Sequence, residues 1–286
     1  MITRVRHIAA VCALGTALTA LAACSAPQPV RAPRATPGSA VASASPAAGP
    51  PTLAPGPAGL TPVFAHGPRS GDRAVALTFD ADMTADQGPR AARGERFDNP
   101  GLIAALRELK VPATVFMTGR WAEQYPRQAR SLGRDPLFEI ANHSYSHYAF
   151  TEDCYGLPTV DEERMRTDVE RAYAAFRKAG VRSAMPYFRF PGGCHDARAL
   201  RALTPAGVTA VQWDVVSGDA FATDAGAVAR DVLDGVRPGS VVVLHCTLSA
   251  APTTERVVRE VVPELRRKGF RLVRVSELIG ASGGRR

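Results

Sequence analysis

Ala74-Val75-Ala76-Leu77-Thr78-Phe79-Asp80-Ala81-Asp82 is an apolar run that ends in two carboxylates. Six uncharged residues in a row read as a buried strand, and strands buried on both faces belong to parallel sheets covered by helices. The chain beyond it keeps the same rhythm. Leu102–Lys110 reads as a helix closed by Pro112, Ala113–Met117 as a strand, Trp121–Leu132 as a helix and Phe138–Ala141 as a strand. Thr159 and Glu162 have capping-box spacing and open a helix that runs to Ala179, with Gly180 as its stop. Tyr187–Phe190, Thr209–Val216, Ser240–Leu244 and Arg271–Val275 are the remaining expected strands. Ala197–Leu203, Ala225–Leu233 and Thr254–Lys268 are the helices between them. Strands alternating with helices of about three turns imply parallel βαβ units, and about seven such units favour an α/β barrel over an open sheet. No glycine-rich phosphate loop is present, which disfavours a dinucleotide fold.

Upstream of this domain the composition changes twice. Residues 1–23 carry Arg4, Arg6 and His7 and then an apolar stretch, Ile8–Ala23, too short for a membrane span of about 20 residues but suited to a secretory signal. Its end, Leu21-Ala22-Ala23-Cys24, resembles the lipobox of bacterial lipoproteins, which implies cleavage before Cys24 and a diacylglycerol on its thiol. Two acyl chains suffice for stable anchoring, so the expected location is the outer face of the cell membrane. Residues 24–70 hold 11 of the 23 prolines and no acidic residue, the composition of a disordered, semi-stiff tether. Five arginines lie before residue 71, leaving 30 basic against 27 acidic residues, a balance of about +3. That balance suits an anionic wall or polymer and gives no reason to expect nucleic acid. Residues 71–280 form one expected domain and 281–286 a flexible tail, in a chain expected to be monomeric.

The chemistry-bearing residues collect where the expected strands end. Asp80 and Asp82 follow the first strand, and His143 and His147 follow Phe138–Ala141. Arg189-Phe190-Pro191-Gly192-Gly193 comes from the next, Trp213, Asp214 and Asp219 from the one after, and His245 closes Ser240–Leu244. In α/β barrels the working groups sit at those ends. His143 and His147 stand four apart, so a helical turn after the strand would put both imidazoles on one face, within reach of one metal ion.

These five stretches, in this order over about residues 71–278, resemble the polysaccharide deacetylases, carbohydrate esterase family four, also called the NodB-homology domain. The resemblance implies a distorted (β/α) barrel, a divalent metal (usually zinc) and removal of acetyl groups from acetylated amino-sugar polymers or oligomers such as peptidoglycan, chitin or exopolysaccharide. It implies His143 and His147 as metal ligands, Asp80 as general base, Arg189 partnered by Asp219 as the group orienting that base, and His245 as general acid. It also implies Gly192 as an oxyanion donor, with Pro191, Trp213, Val243 and Leu244 lining the substrate. The family pattern has two adjacent aspartates where this chain has Asp80-Ala81. Asp82 is the expected third ligand, since i and i+2 on extended chain point the same way; a two-histidine site is the alternative. Ala220 stands where an aromatic residue is usual and Gly192 where a tyrosine is, so the cleft is expected to be more open. Tyr145, Tyr148, Phe190 and Trp213 remain as candidate sugar-stacking surfaces, and His195 has no counterpart. Cys154 and Cys194, both in loops near this site, are the favoured disulfide pair, leaving Cys246 free. A glycan-binding lipoprotein without turnover and an O-acetyl esterase are the competing readings.

Overall fold

The structure, a computed structural model, describes residues 49–283. The expected leader, the lipidation site Cys24, the first half of the tether and residues 284–286 of the tail lie outside the described residues. In chain order, β1 (Val63–Phe64) and β2 (Ala74–Ala81) precede α1 (Gly88–Ala92) and α2 (Pro100–Glu108). Then come β3 (Ala113–Met117), α3 (Gly119–Gln124), α4 (Pro126–Leu132), β4 (Phe138–Asn142) and α5 (Glu162–Ala179). They are followed by β5 (Tyr187–Phe188), α6 (Ala197–Leu203), β6 (Thr209–Val211), β7 (Val215–Val216), α7 (Ala225–Gly235), β8 (Val241–His245), α8 (Thr254–Arg267), β9 (Arg271–Val273) and α9 (Val275–Ala281).

Every strand pairing is parallel, in the order β1-β6-β5-β4-β3-β2-β8-β7, with β9 against the start of β2. β6 and β7 stand near opposite ends of that order, yet only Gln212–Asp214 separates them in the chain. The sheet therefore curls back towards itself as a distorted, incompletely closed barrel of the expected class. β2 is its centre, buried along all eight residues. Its Val75, Leu77, Phe79 and Ala81 pack into the helix-side core, while Ala74 and Ala76 turn inward to meet Phe64, Phe116, Val241, Leu278 and Ile279. This alternation places Thr78 and Asp80 on the inner face, above that apolar floor.

Four local expectations are corrected. Thr209–Val216 is two strands, because β6 pairs with β5 and β1 whereas β7 pairs with β8. Trp121–Leu132 is two helices, since Pro126 cannot continue the first and instead occupies the opening turn of α4. The capping box is not made: Asp161 is the N-cap of α5, and the Thr159 hydroxyl donates to Thr151 O. The expected tether does not extend to residue 70, because Val63 and Phe64 pair with Ala210 and Val211 and Phe64 is buried. Two residues make a strand too short to show period-two alternation, so no sequence signal marked it. Among the described residues no helix is long and apolar enough to cross a membrane.

Candidate active site

Asp80 is the last inward-facing residue of β2, so its carboxylate stands at the carboxyl end of the central strand. The fully buried Arg189, just after β5, donates from Nη1 to Asp80 Oδ1 at 2.6 Å and from Nε to Val211 O at 3.2 Å. Its guanidinium lies over Phe116, 3.9 Å from the ring centre, and 5.3 Å from that of Trp213. Burial pushes the Asp80 carboxyl up, but Arg189, His143 and His245 together outweigh it and hold it below the usual carboxylate range. With Oδ1 committed, Oδ2 faces His143 Nε2 at 3.6 Å.

His143 and His147 do not share a helical face. They sit on a loop in which Ser144 and His147 have φ of 68° and 59°, and the loop instead brings the two ring centres to 5.0 Å. Local hydrogen bonds build it: Asn142 Oδ1 accepts from Ser144 N at 2.8 Å, Ser144 Oγ from His147 N at 2.9 Å, and Asp168 of α5 from Tyr145 N at 2.8 Å. His143 Nδ1 lies 2.9 Å from the carbonyl of Arg189, so Nδ1 carries a hydrogen and Nε2 is the nitrogen turned to the cleft. His147 Nε2 faces Asp82 Oδ2 at 3.6 Å. Burial, aided by neighbouring imidazoles and opposed by the carboxylates, pushes His147 down to about 4, which keeps it neutral.

Two carboxylate oxygens thus oppose two imidazole nitrogens at distances too long for hydrogen bonds. Neutral imidazole with carboxylate is a donor set that zinc accepts, so the residues present fit a divalent metal. Among the described residues no cluster of three or more His, Cys, Asp or Glu side chains is already drawn tightly enough to hold an ion. Asp82 turns its other oxygen onto the hydroxyl of Thr247. Thr247 is a residue that sequence reading missed, although its place two residues past His245, at a strand end, was a usable signal.

Asp219 corrects a further expectation: its partner is His245, not Arg189. Asp219 follows β7, the neighbour of β8, and so reaches the histidine that ends β8. His245 Nδ1 is 2.7 Å from Asp219 Oδ1, and the His245 backbone N–H donates to Oδ2 at 2.8 Å. Ser217 Oγ and Thr254 Oγ1, neither singled out from sequence, also donate to Asp219, at 3.0 and 2.7 Å. Burial lowers the His245 pKa, but the Asp219 bond and charge, joined by Asp82 and Asp80, outweigh it and raise it to about 9. The imidazole is therefore protonated at neutral pH.

The lining residues divide. Leu244 packs in the helix-side core, so only Val243, in phase with Val241 and His245, belongs to the inner face. Tyr145 is buried, donates to Glu123 Oε2 at 2.8 Å and is covered by Arg171; Phe190 is buried against Phe150 and Phe188. Neither can stack on a sugar. Trp213 and Tyr148 are half-buried, and Pro191 is buried in the turn that carries Gly192, whose φ is 66°. Asp214 is structural, bound to Arg69, Ser240 Oγ and Val241 N. His195 stacks on Phe190 and bonds Gln212. Cys154 and Cys194 form a disulfide, and Cys246 is a buried free thiol.

Residues 67–211 match the family described as polysaccharide deacetylase. A chitooligosaccharide deacetylase of Bradyrhizobium sp. is 28% identical over 226 residues, 74% of this chain and 94% of the relative. A peptidoglycan-N-acetylglucosamine deacetylase of Bacillus cereus is 28% identical over 214 residues, 74% of this chain and 70% of the relative. The crystal structure of the Bc1960 peptidoglycan N-acetylglucosamine deacetylase superposes with a TM-score of 0.63 at 24% identity, covering 79% of this chain and 96% of that one, a likeness of fold.

Proposed function

The chain belongs to the polysaccharide deacetylase family, and from that premise we propose that it is a metal-dependent hydrolase removing N-acetyl groups from an acetylated amino-sugar polymer or oligomer, releasing acetate. The observation that carries this reading is the convergence of the Asp80–Arg189 pair, the two imidazoles and the Asp219–His245 pair at neighbouring carboxyl ends of one parallel sheet. Asp82, His143 and His147 would hold the divalent ion, with zinc favoured by the donor set; when bound it supplies Lewis acidity toward the acetamide carbonyl and the attacking water.

Asp80 takes the proton of that water on Oδ2, because Oδ1 is held by Arg189. Arg189 keeps Asp80 ionised and fixed, at the cost of some basicity. The N–H of Gly192, in the turn after Arg189, is the proposed donor to the tetrahedral oxyanion. His245 enters protonated, with Asp219 stabilising the imidazolium, and gives a proton to the departing amine; acetate and a free amino sugar remain. Val243 shares the inner face beside it and suits the wall of an acetyl pocket. The lipobox at Cys24 supports a lipid-anchored protein on the outer face of the membrane, acting on glycan there.

Acetate release by the metal-loaded protein, from N-acetylated chitooligosaccharides and peptidoglycan beside an O-acetylated glycan, tests the reading. Asp80→Asn should lower turnover by about 10² to 10⁴ while the fold persists. Release from the O-acetylated substrate alone would replace the reading by esterase action, and binding without release from any would replace it by the non-catalytic one.

A further inference from the structure

A pyranose ring offers a face of C–H bonds to a flat aromatic ring, so a glycan-gripping protein displays aromatic side chains that it would otherwise bury. Among the described residues only two aromatic side chains are exposed, Tyr155 at 87% and Phe221 at 82%. Both also hold positive φ, 52° and 62°. Bulky residues rarely occupy that region, and they persist there only where the surroundings impose it, often at ligand clamps.

Their positions relate to the site. Tyr155 tips the loop that leaves two residues after His147. Backbone bonds close the loop's neck, Ala149 N to Pro158 O at 2.7 Å and Val160 N to Ala149 O at 2.9 Å. The Cys154–Cys194 disulfide ties its tip to the turn that follows Arg189. A Cβ placed on Gly192 would stand 2.6 Å from Cys154 Sγ and 3.3 Å from Tyr155 Cδ2. Position 192 therefore has to stay bare, and the Tyr155 ring lies beside it. Phe221 comes two residues after Asp219, with its N–H on Ala250 O at 2.6 Å. In the sheet β4 and β5 lie on one side of β2, and β8 and β7 on the other. One ring thus rises from the flank of His143, His147 and Arg189, and the other from the flank of Asp219 and His245.

We infer that Tyr155 and Phe221 are glycan-stacking residues that flank the Asp80 cleft from opposite sides, so that the substrate is engaged through sugar rings on both sides of the reacting unit. This rests on the deacetylase reading for what the cleft receives. It assigns the preferred substrate as an oligosaccharide of several linked units, with the rings acting on binding and taking no part in the chemistry.

Calorimetric titration of metal-stripped full chain with N-acetylchitopentaose measures binding without turnover. Tyr155→Ala and Phe221→Ala should each weaken it about tenfold, the scale of one good aromatic contact, and Tyr155→Trp should restore it, with melting temperatures unchanged. With metal present, the same two alanine variants should raise KM for the pentamer and leave kcat near wild type. Wild-type pentamer affinity in both alanine variants would overturn the inference while leaving the deacetylase reading standing. A wild-type protein that binds the pentamer through these rings but releases no acetate would sink that reading and leave the rings as a binding surface.

Discussion

His245 and Asp219 illustrate how much of this site lies in pairs. The imidazole pKa stands at about 9 in the fold against 6.5 when free, so the folded state holds a proton that the unfolded chain gives up. Its stabilising contribution is fully present below about pH 6.5 and is lost as pH rises through about 9. The shift corresponds to an upper bound of roughly 3–4 kcal/mol. Urea midpoints of metal-free protein between pH 6 and 10 should therefore fall more steeply for wild type than for His245→Gln; parallel curves would contradict the pairing. Thr247 acts on the other carboxylate. Its hydroxyl holds Asp82, and loss of such an orienting contact costs about 10- to 100-fold in metal affinity. Thr247→Val should show that loss in a competitive zinc titration, with circular dichroism unchanged. Side chains at strand ends were legible in the sequence because a fold has no need of charge there. Their partners were not: the family resemblance implies Arg189 as the partner of Asp219, and nothing in the order along the chain reveals that β7 neighbours β8 and so hands Asp219 to His245.

At the scale of elements, strands such as β3 were readable to the residue because a strand buried on both faces is an uninterrupted apolar run. Elements whose identity depends on a tertiary partner were not. α9 is the clearest case: seven residues make a helix too short to declare a period, and the expected last strand ran into its start. Yet Leu278 and Ile279 of α9 close the barrel floor against Ala74, Ala76 and Val273, whose size leaves room for them. Leu278→Ala should therefore destabilise by about 2–5 kcal/mol, as large-to-small changes at buried sites do. A chemical denaturation curve reads it directly, and a change below about 0.5 kcal/mol, typical of surface positions, would deny the helix its role. The histidine loop failed to be legible for a related reason. Its left-handed residues at Ser144 and His147 are imposed by Asn142 and by Asp168 of α5, more than twenty residues downstream of the pair's first member.

For the molecule as a whole, the question is where the proline-rich segment stops being a tether. Composition placed that point at residue 70, because proline and the absence of acidic residues dominate up to there. The fold begins earlier. Tyr187 donates its hydroxyl to Pro51 O at 2.8 Å, Leu53 N bonds Thr209 Oγ1 at 3.2 Å, and β1 adds itself to β6 with Phe64 buried in the barrel floor. These contacts cover β6, which would otherwise present a bare edge to solvent beside the gap in the sheet. A chain starting at Gly49 keeps every described contact and is the reference for the comparison. A chain starting at Gly67 loses Phe64 from the core, worth about 3 kcal/mol or more, and should melt about 6 °C lower or further. Differential scanning calorimetry of the two truncations decides between the boundaries. Coincident melting curves would return the start of the domain to residue 71, whereas a drop confined to the shorter chain makes the last part of the proline-rich segment a strand-bearing edge of the barrel, with the spacer ending upstream of it.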